Sequence, residues 1–217
     1  MRRPGYYSLM SKYRYPFYIL FHPADGFREM KVNNKFSLRF ANGILLLWVM
    51  LGILDWGYVD FDFKTSIRQL EGNVNILHVL MTSVLLFAIS VISNWCFCTL
   101  MDGKGRVKEI WVAGAYALMP YVVLGIVRVG LTYAMVSSEA VYLTYLNLIG
   151  TLWSVLLVFI GLMAIHEYSG PKTLMSLFLT LCGVLIIAFL VVLVSGLATQ
   201  IYSFFATIYF ELKLRYL

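Results

Sequence analysis

The stretch MDGKGR, residues 101–106, contains the residue types that cradle phosphate, with Gly103 and Gly105 bracketing Lys104. A Walker-type loop needs GxxxxGK followed by Ser or Thr, between a strand and a helix, so that backbone N–H groups and a lysine converge on the anion. The spacing here fails, and long apolar runs flank it on both sides. MDGKGR therefore reads as a tight hairpin. Its glycines would supply backbone angles closed to other residues, and Lys104, Arg106 and Lys108 would face an anionic leaflet.

Other chemistry is equally sparse. His22, His78 and His166 fall on separate segments with no HExxH or other close ligand spacing, so no metal set is formed. IHEYSGPK, residues 165–172, could set His166 and Glu167 as an acid–base pair at a membrane face, or simply cap a helix with interfacial polarity. Cys96, Cys98 and Cys182 all lie in apolar runs. On a helix, Cys96 and Cys98 would point about 200° apart and could not share a metal or redox site. With no GxSxG motif and no paired carboxylates in an apolar run, the expectation is a non-enzyme without catalytic residues, metal or cofactor.

The elements that carry these residues are membrane helices. The chain of 217 residues is 61% apolar and 13% charged, against roughly a quarter charged in a soluble domain. Its apolar residues come in runs long enough to span a bilayer. Five spans are predicted: Arg39–Val59, Asn75–Leu100, Ile110–Val136, Val141–Ile165 and Thr173–Gly196. The fold class expected is an all-α integral membrane bundle of five helices, residues 39–196. It is preceded by an interfacial segment, 1–38, and followed by an amphipathic aromatic helix, 197–217. Arg2 and Arg3 precede no short apolar stretch with a small-residue cleavage site, so no removable signal peptide is expected.

Flanking charge orients the spans. Arg2, Arg3, Lys12, Arg14, Arg28, Lys31, Lys35 and Arg39 precede the first; Lys104, Arg106 and Lys108 lie between the second and third; Lys172 lies between the fourth and fifth. Opposite them, Lys64 and Arg68 are offset by Asp60, Asp62 and Glu71, and only Glu139 follows. This bias predicts a cytoplasmic N-terminus and an outer C-terminus in the cell inner membrane, and makes the net charge of +6 a topology signal rather than a nucleic-acid footprint. Trp95, Trp111 and Tyr168 would sit at the inner interface, and Trp56, Tyr58, Tyr133, Tyr142 and Tyr145 at the outer one. In the N-terminal segment, aromatic side chains would point inward and Arg14, Arg28, Lys31 and Lys35 would lie near lipid phosphates. In the tail, Thr199, Ser203, Thr207 and Glu211 recur every four residues. A helix running straight through the tail would be about 60 Å long, so a bend near Ser195–Gly196 and a helix lying at the outer interface are expected, with a re-entrant segment as the alternative.

Inside the spans, charge is costly and usually paired. Arg128 and Asp55 lie at similar depth and could form an ion pair; Arg128 shares a face with Gly114, Ala117, Tyr121 and Gly125, whose small residues favour close helix approach. Snorkelling of Arg128 toward headgroups is the alternative. Ser83, Ser90 and Asn94 line one face of the second span, and Asn147, Thr151, Ser154 and Gly161 one face of the fourth. Such faces serve interhelical packing or a polar pathway. Pro120 should kink the third span.

NWCFCTLMDGKGRVKEIWVAGAYALMPYVV resembles the hairpin between the second and third spans of bacterial Yip-domain membrane proteins. PFYILFHPADGFREMK resembles the segment before their first span, and LWSVLLVFIGLMAIHEYSGPKTL their fourth-to-fifth connection. The resemblance covers most of residues 16–195 in the same order and implies five spans, a cytoplasmic N-terminus and no known enzymatic chemistry. It also implies an accessory role beside a polytopic partner, such as a carbohydrate ABC-transporter permease. On that basis the partner contacts expected are His22, Pro23, Asp25, Gly26 and Phe27, the loop Asp102, Gly103, Lys104, Arg106 and Lys108, and the tail aromatics Phe204, Phe205 and Tyr209, with membrane lipids as further partners. The alternatives from the residues themselves are a small transporter or channel, and a lipid-interacting or membrane-shaping protein.

Overall fold

The computed structural model describes residues 15–34, 36–57, 76–135 and 139–216. Eight helices lie among the described residues: α1 (Tyr15–Phe21), α2 (Pro23–Val32), α3 (Leu38–Gly57), α4 (Ile76–Leu100), α5 (Val107–Ala117), α6 (Met119–Leu131), α7 (Ala140–His166) and α8 (Gly170–Tyr216). No strand occurs among the described residues. Among the described residues, five stretches are long and apolar enough to cross a membrane, with α5 and α6 counting as one. The protein is an all-α, multi-pass membrane protein. Helices are the form that satisfies backbone N–H and C=O groups where no water is present. Arg2, Arg3, Lys12, Arg14, Lys35, Tyr58 and the charged residues 60–71 lie outside the described residues, as do the side chains of Trp56 and His78.

The third span does break at proline. Pro120 has no N–H to donate and its ring crowds the carbonyl four residues back. The helix ends at Ala117 and restarts at Met119. Ser154 of α7 repairs the break: its Oγ accepts the Tyr121 N–H at 3.2 Å, so a side chain from one span caps the restarted helix of another.

α5–α6 is the centre of the bundle. It packs against α3 and α7, while α4 pairs with α8 and α2 lies on α7. The main core gathers Ile19, Phe27, Met30, Val112, Tyr116, Leu157 and Ile165. Close approach depends on small residues. A Cβ on Gly125 would fall 2.3 Å from Leu51 Cδ2, and one on Gly183 would fall 2.2 Å from Ser93 Oγ.

Two expectations are overturned. Gly26 and Phe27 do not face a partner: Phe27 is fully buried, and a Cβ on Gly161 would stand 3.1 Å from its ring. A Cβ on Gly26 would fall 2.6 Å from Ile19 Cγ1. The pair docks α1 and α2 into the bundle because burying a Phe outweighs leaving it at the interface. Nor does the chain break at Ser195–Gly196. α8 runs 47 residues without interruption, about 70 Å at 1.5 Å per residue. Gly196 lies inside a run of apolar helix with no atom near its Cβ position, so nothing there forces a turn.

Candidate functional site

The basic residues converge where α2, the α4–α5 loop and the α7–α8 connection meet. α7 ends on Glu167, which adopts left-handed backbone angles (φ 57°, ψ 38°), while Tyr168 N–H donates to Met163 O at 3.1 Å. This closes off carbonyls that a helix end leaves open. Lys31 of α2 donates to Ile165 O and lies 3.3 Å from Glu167 Oε1; Lys104 of the loop lies 2.7 Å from Glu167 Oε2. Lys31 is thus committed to a helix end, not to lipid phosphate. The Lys104 ammonium, followed by that of Lys31, holds the Glu167 carboxyl below its ordinary pKa.

Behind this clamp lies a buried polar chain. Gly105 N–H donates to His166 Nδ1 at 3.3 Å, which leaves Nε2–H facing Asn94 Oδ1 at 3.2 Å. Asn94 Nδ2 donates to Thr180 Oγ1 at 2.9 Å, and Cys98 Sγ lies 3.0 Å from Ser176 Oγ. The Tyr168 hydroxyl donates to Cys98 O at 3.0 Å and its ring stacks on His166 with centroids 5.2 Å apart. Burial pushes that hydroxyl up to about 12. Lys172 sits 4.6 Å from the centroid of the Tyr168 ring, near enough for a cation–π contact. His166, Asn94 and Ser176 are each almost fully buried. Polar groups so enclosed must be paired, and both imidazole nitrogens already are. The arrangement locks helices together; it offers no free base beside a nucleophile.

The glycines of MDGKGR belong to this lock for a reason other than backbone freedom. Neither has positive φ; the left-handed residue of the loop is Asp102, at 59°. A Cβ on Gly103 would lie 2.5 Å from Tyr168 Oη, 2.6 Å from His166 Nδ1 and 2.7 Å from Cys98 O, and one on Gly105 would lie 2.6 Å from His166 Cε1. The loop is glycine because His166 and Tyr168 press against it. At the start of α5, the buried Glu109 accepts from Arg106 N–H and Arg106 Nε–H at 3.1 and 2.8 Å, fixing the loop from its other side.

The remaining predicted positions disperse. At the far end, Arg128 Nη2 meets Asp55 Oδ1, both side chains mostly buried, so Arg128 points into the bundle and not toward headgroups. Ser90 Oγ donates back to Leu86 O, Thr151 Oγ1 donates back to Asn147 O, and Ser83 is half-buried. A cavity of about 240 Å³ touches Ser90 and Asn94, but its other walls include Phe87, Val91, Ile110 and Leu162 and neither Asn147, Thr151 nor Ser154 reaches it. The two polar faces do not meet there. His22 and Asp25 are exposed and Pro23 half-exposed; Tyr18 stacks on His22 at 4.9 Å. Asp102, Lys104, Arg106 and Lys108 are exposed and Gly103 is half-buried. Phe204, Phe205 and Tyr209 stand about three-fifths exposed.

Sequence reasoning missed the joining of Asn94 to Ser176 and Thr180, and of His166 to Gly105. The only signal was weak: Ser176 and Thr180 stand four apart, on one face of a helix.

A Yip1-domain model matches residues 17–193. The chain belongs to the Yip1-domain family. The match runs from α1 through the first half of α8, and the second half of α8 lies beyond it. The Yip1 family is not a known enzyme family. No curated protein and no solved structure matches the chain.

Proposed function

We propose that this Yip1-family protein is a non-enzymatic accessory subunit that holds a polytopic membrane partner through the distal half of α8, with its basic end in the cytoplasm. One observation carries the reading. From Ala188 to Lys213 every side chain except Ala206 is exposed, on an unbroken helix. About 20 residues cross the hydrocarbon, so with Gly170 at the basic interface the aromatic residues Tyr202–Phe210 emerge on the opposite side. The hydroxyls of Thr199, Ser203 and Thr207 donate to carbonyls of their own helix, which leaves the surface apolar nearly all round. An exposed apolar surface of this size marks an interaction site, and its aromatic residues are of the kind that anchor interfaces. A carbohydrate-importer permease as the partner rests on the family resemblance alone.

Affinity capture from native membranes with mass spectrometry tests the reading. The intact chain should recover a polytopic protein, and Phe204→Ala/Phe205→Ala/Tyr209→Ala should lose it. Recovery of the chain by itself, or unchanged recovery with the triple variant, removes this function.

A further inference from the structure

Among the described residues, four cations are committed to carboxylates: Lys31 and Lys104 to Glu167, Arg106 to Glu109, and Arg128 to Asp55. Arg39 and Lys108 have no such partner, and both line one groove of about 440 Å³. The groove lies where α3 and α5 begin, at Leu38 and Val107, so it opens at the level where the first and third spans enter the membrane. Arg106 lines it too, its Nε turned to Glu109 and its Nη2 3.4 Å from Asn34 Oδ1. Glu109, the one acid in the lining, is 2% exposed and already paired. Phe36 and Leu38 supply apolar wall, with Leu38 42% exposed. Trp111 Nε1–H to Asn42 Oδ1, at 3.0 Å, ties α5 to α3 below the groove, so its two sides are held in register. The amino ends of both helices add positive potential.

We propose that this groove binds the phosphate of an anionic phospholipid, with Arg39 and Lys108 as its ligands, Arg106 as an oriented neighbour, and the lipid chains running down past Leu38. Uncompensated cations beside apolar wall match a molecule that is anionic at one end and greasy below. A free phosphate shares the first property and not the second. The site is independent of the partner surface on α8, from which it is separated by the depth of the bundle.

The test uses the full chain in neutral detergent, titrated with phosphatidylglycerol or phosphatidylcholine and read by native mass spectrometry. Phosphatidylglycerol should be retained in preference to phosphatidylcholine, and Arg39→Gln/Lys108→Gln should weaken it by on the order of tenfold. Arg39→Lys/Lys108→Arg should preserve it, and Lys213→Gln/Arg215→Gln, which removes the same charge from the other end of the chain, should leave it unchanged. Both targeted side chains are exposed and unpaired, so the melting temperature of the double variant should match that of the parent chain. Equal phosphatidylglycerol retention by the parent and Arg39→Gln/Lys108→Gln overturns the site, and so does an equal loss in the Lys213/Arg215 control. Displacement of the lipid by millimolar inorganic phosphate overturns the lipid assignment in favour of a free anion.

Discussion

The third and fifth spans make opposite use of the same solvent. Over its window the third is 56% buried inside the protein, and the fifth 11%. The fifth is nonetheless the longer and the more hydropathic of the two. The third carries Glu109, Pro120 and Arg128, and each is answered by a neighbour: Arg106, Ser154 at the following N–H, and Asp55. Distal α8 carries almost nothing that needs an answer. Hydropathy in a membrane therefore reports contact with lipid or with an absent partner, not membership of the core, because hydrocarbon and a neighbouring helix are equally apolar.

The contrast can be broken most forcefully at Arg128. Arg128→Leu strands Asp55 and should cost about 3 kcal/mol, read as a lower melting temperature in detergent, while Arg128→Leu/Asp55→Leu should recover much of the loss. Unchanged melting of the single variant would mean that the pair contributes no stability. Next comes Gly103→Ala at the entrance to the third span. Its methyl would meet backbone and ring atoms that cannot retreat, at a cost of about 2 kcal/mol. Gly196→Ala on α8 meets nothing within 4 Å and should be neutral or slightly stabilising. If the two glycines behave alike, the distinction between the spans fails.

A smaller effect lies at the root of α8. The folded pKa of Glu167 is depressed, so its contribution is complete above the ordinary carboxylate range and is lost as pH falls through the folded value. Tyr168 is the reverse: raised from 10.0 to about 12, it contributes fully below pH 10 and loses that contribution as pH climbs toward 12. Melting temperature against pH should decline at both extremes, and Tyr168→Phe should make the alkaline limb shallower. Smallest of all, Phe204→Ala/Phe205→Ala/Tyr209→Ala should change the stability of the isolated chain by less than about 0.5 kcal/mol, whatever it does to partner recovery. A larger loss would show that distal α8 packs on the bundle after all.

Membrane insertion, the five crossings and the break at Pro120 were legible in the chain because each depends on a local run of residues. Whether a stretch partitions into hydrocarbon is a sum over its own side chains, and a proline disrupts its own helix wherever that helix goes. The lock was not legible. Gly103 and Gly105 looked like turn residues, whereas their need for space comes from His166 and Tyr168, more than sixty positions away. Gly26 and Phe27 looked interfacial until α2 lay against Gly161, and Lys31 looked lipid-facing until Ile165 and Glu167 met it. The expected bend in α8 failed for the converse reason: a bilayer limits how much helix it can bury, but not how far a helix can extend beyond it. Sequence determined what enters the membrane. Only the tertiary structure decided which faces meet, because the rotation and pairing of apolar helices rest on shape and on a few buried polar contacts that composition along the chain does not encode.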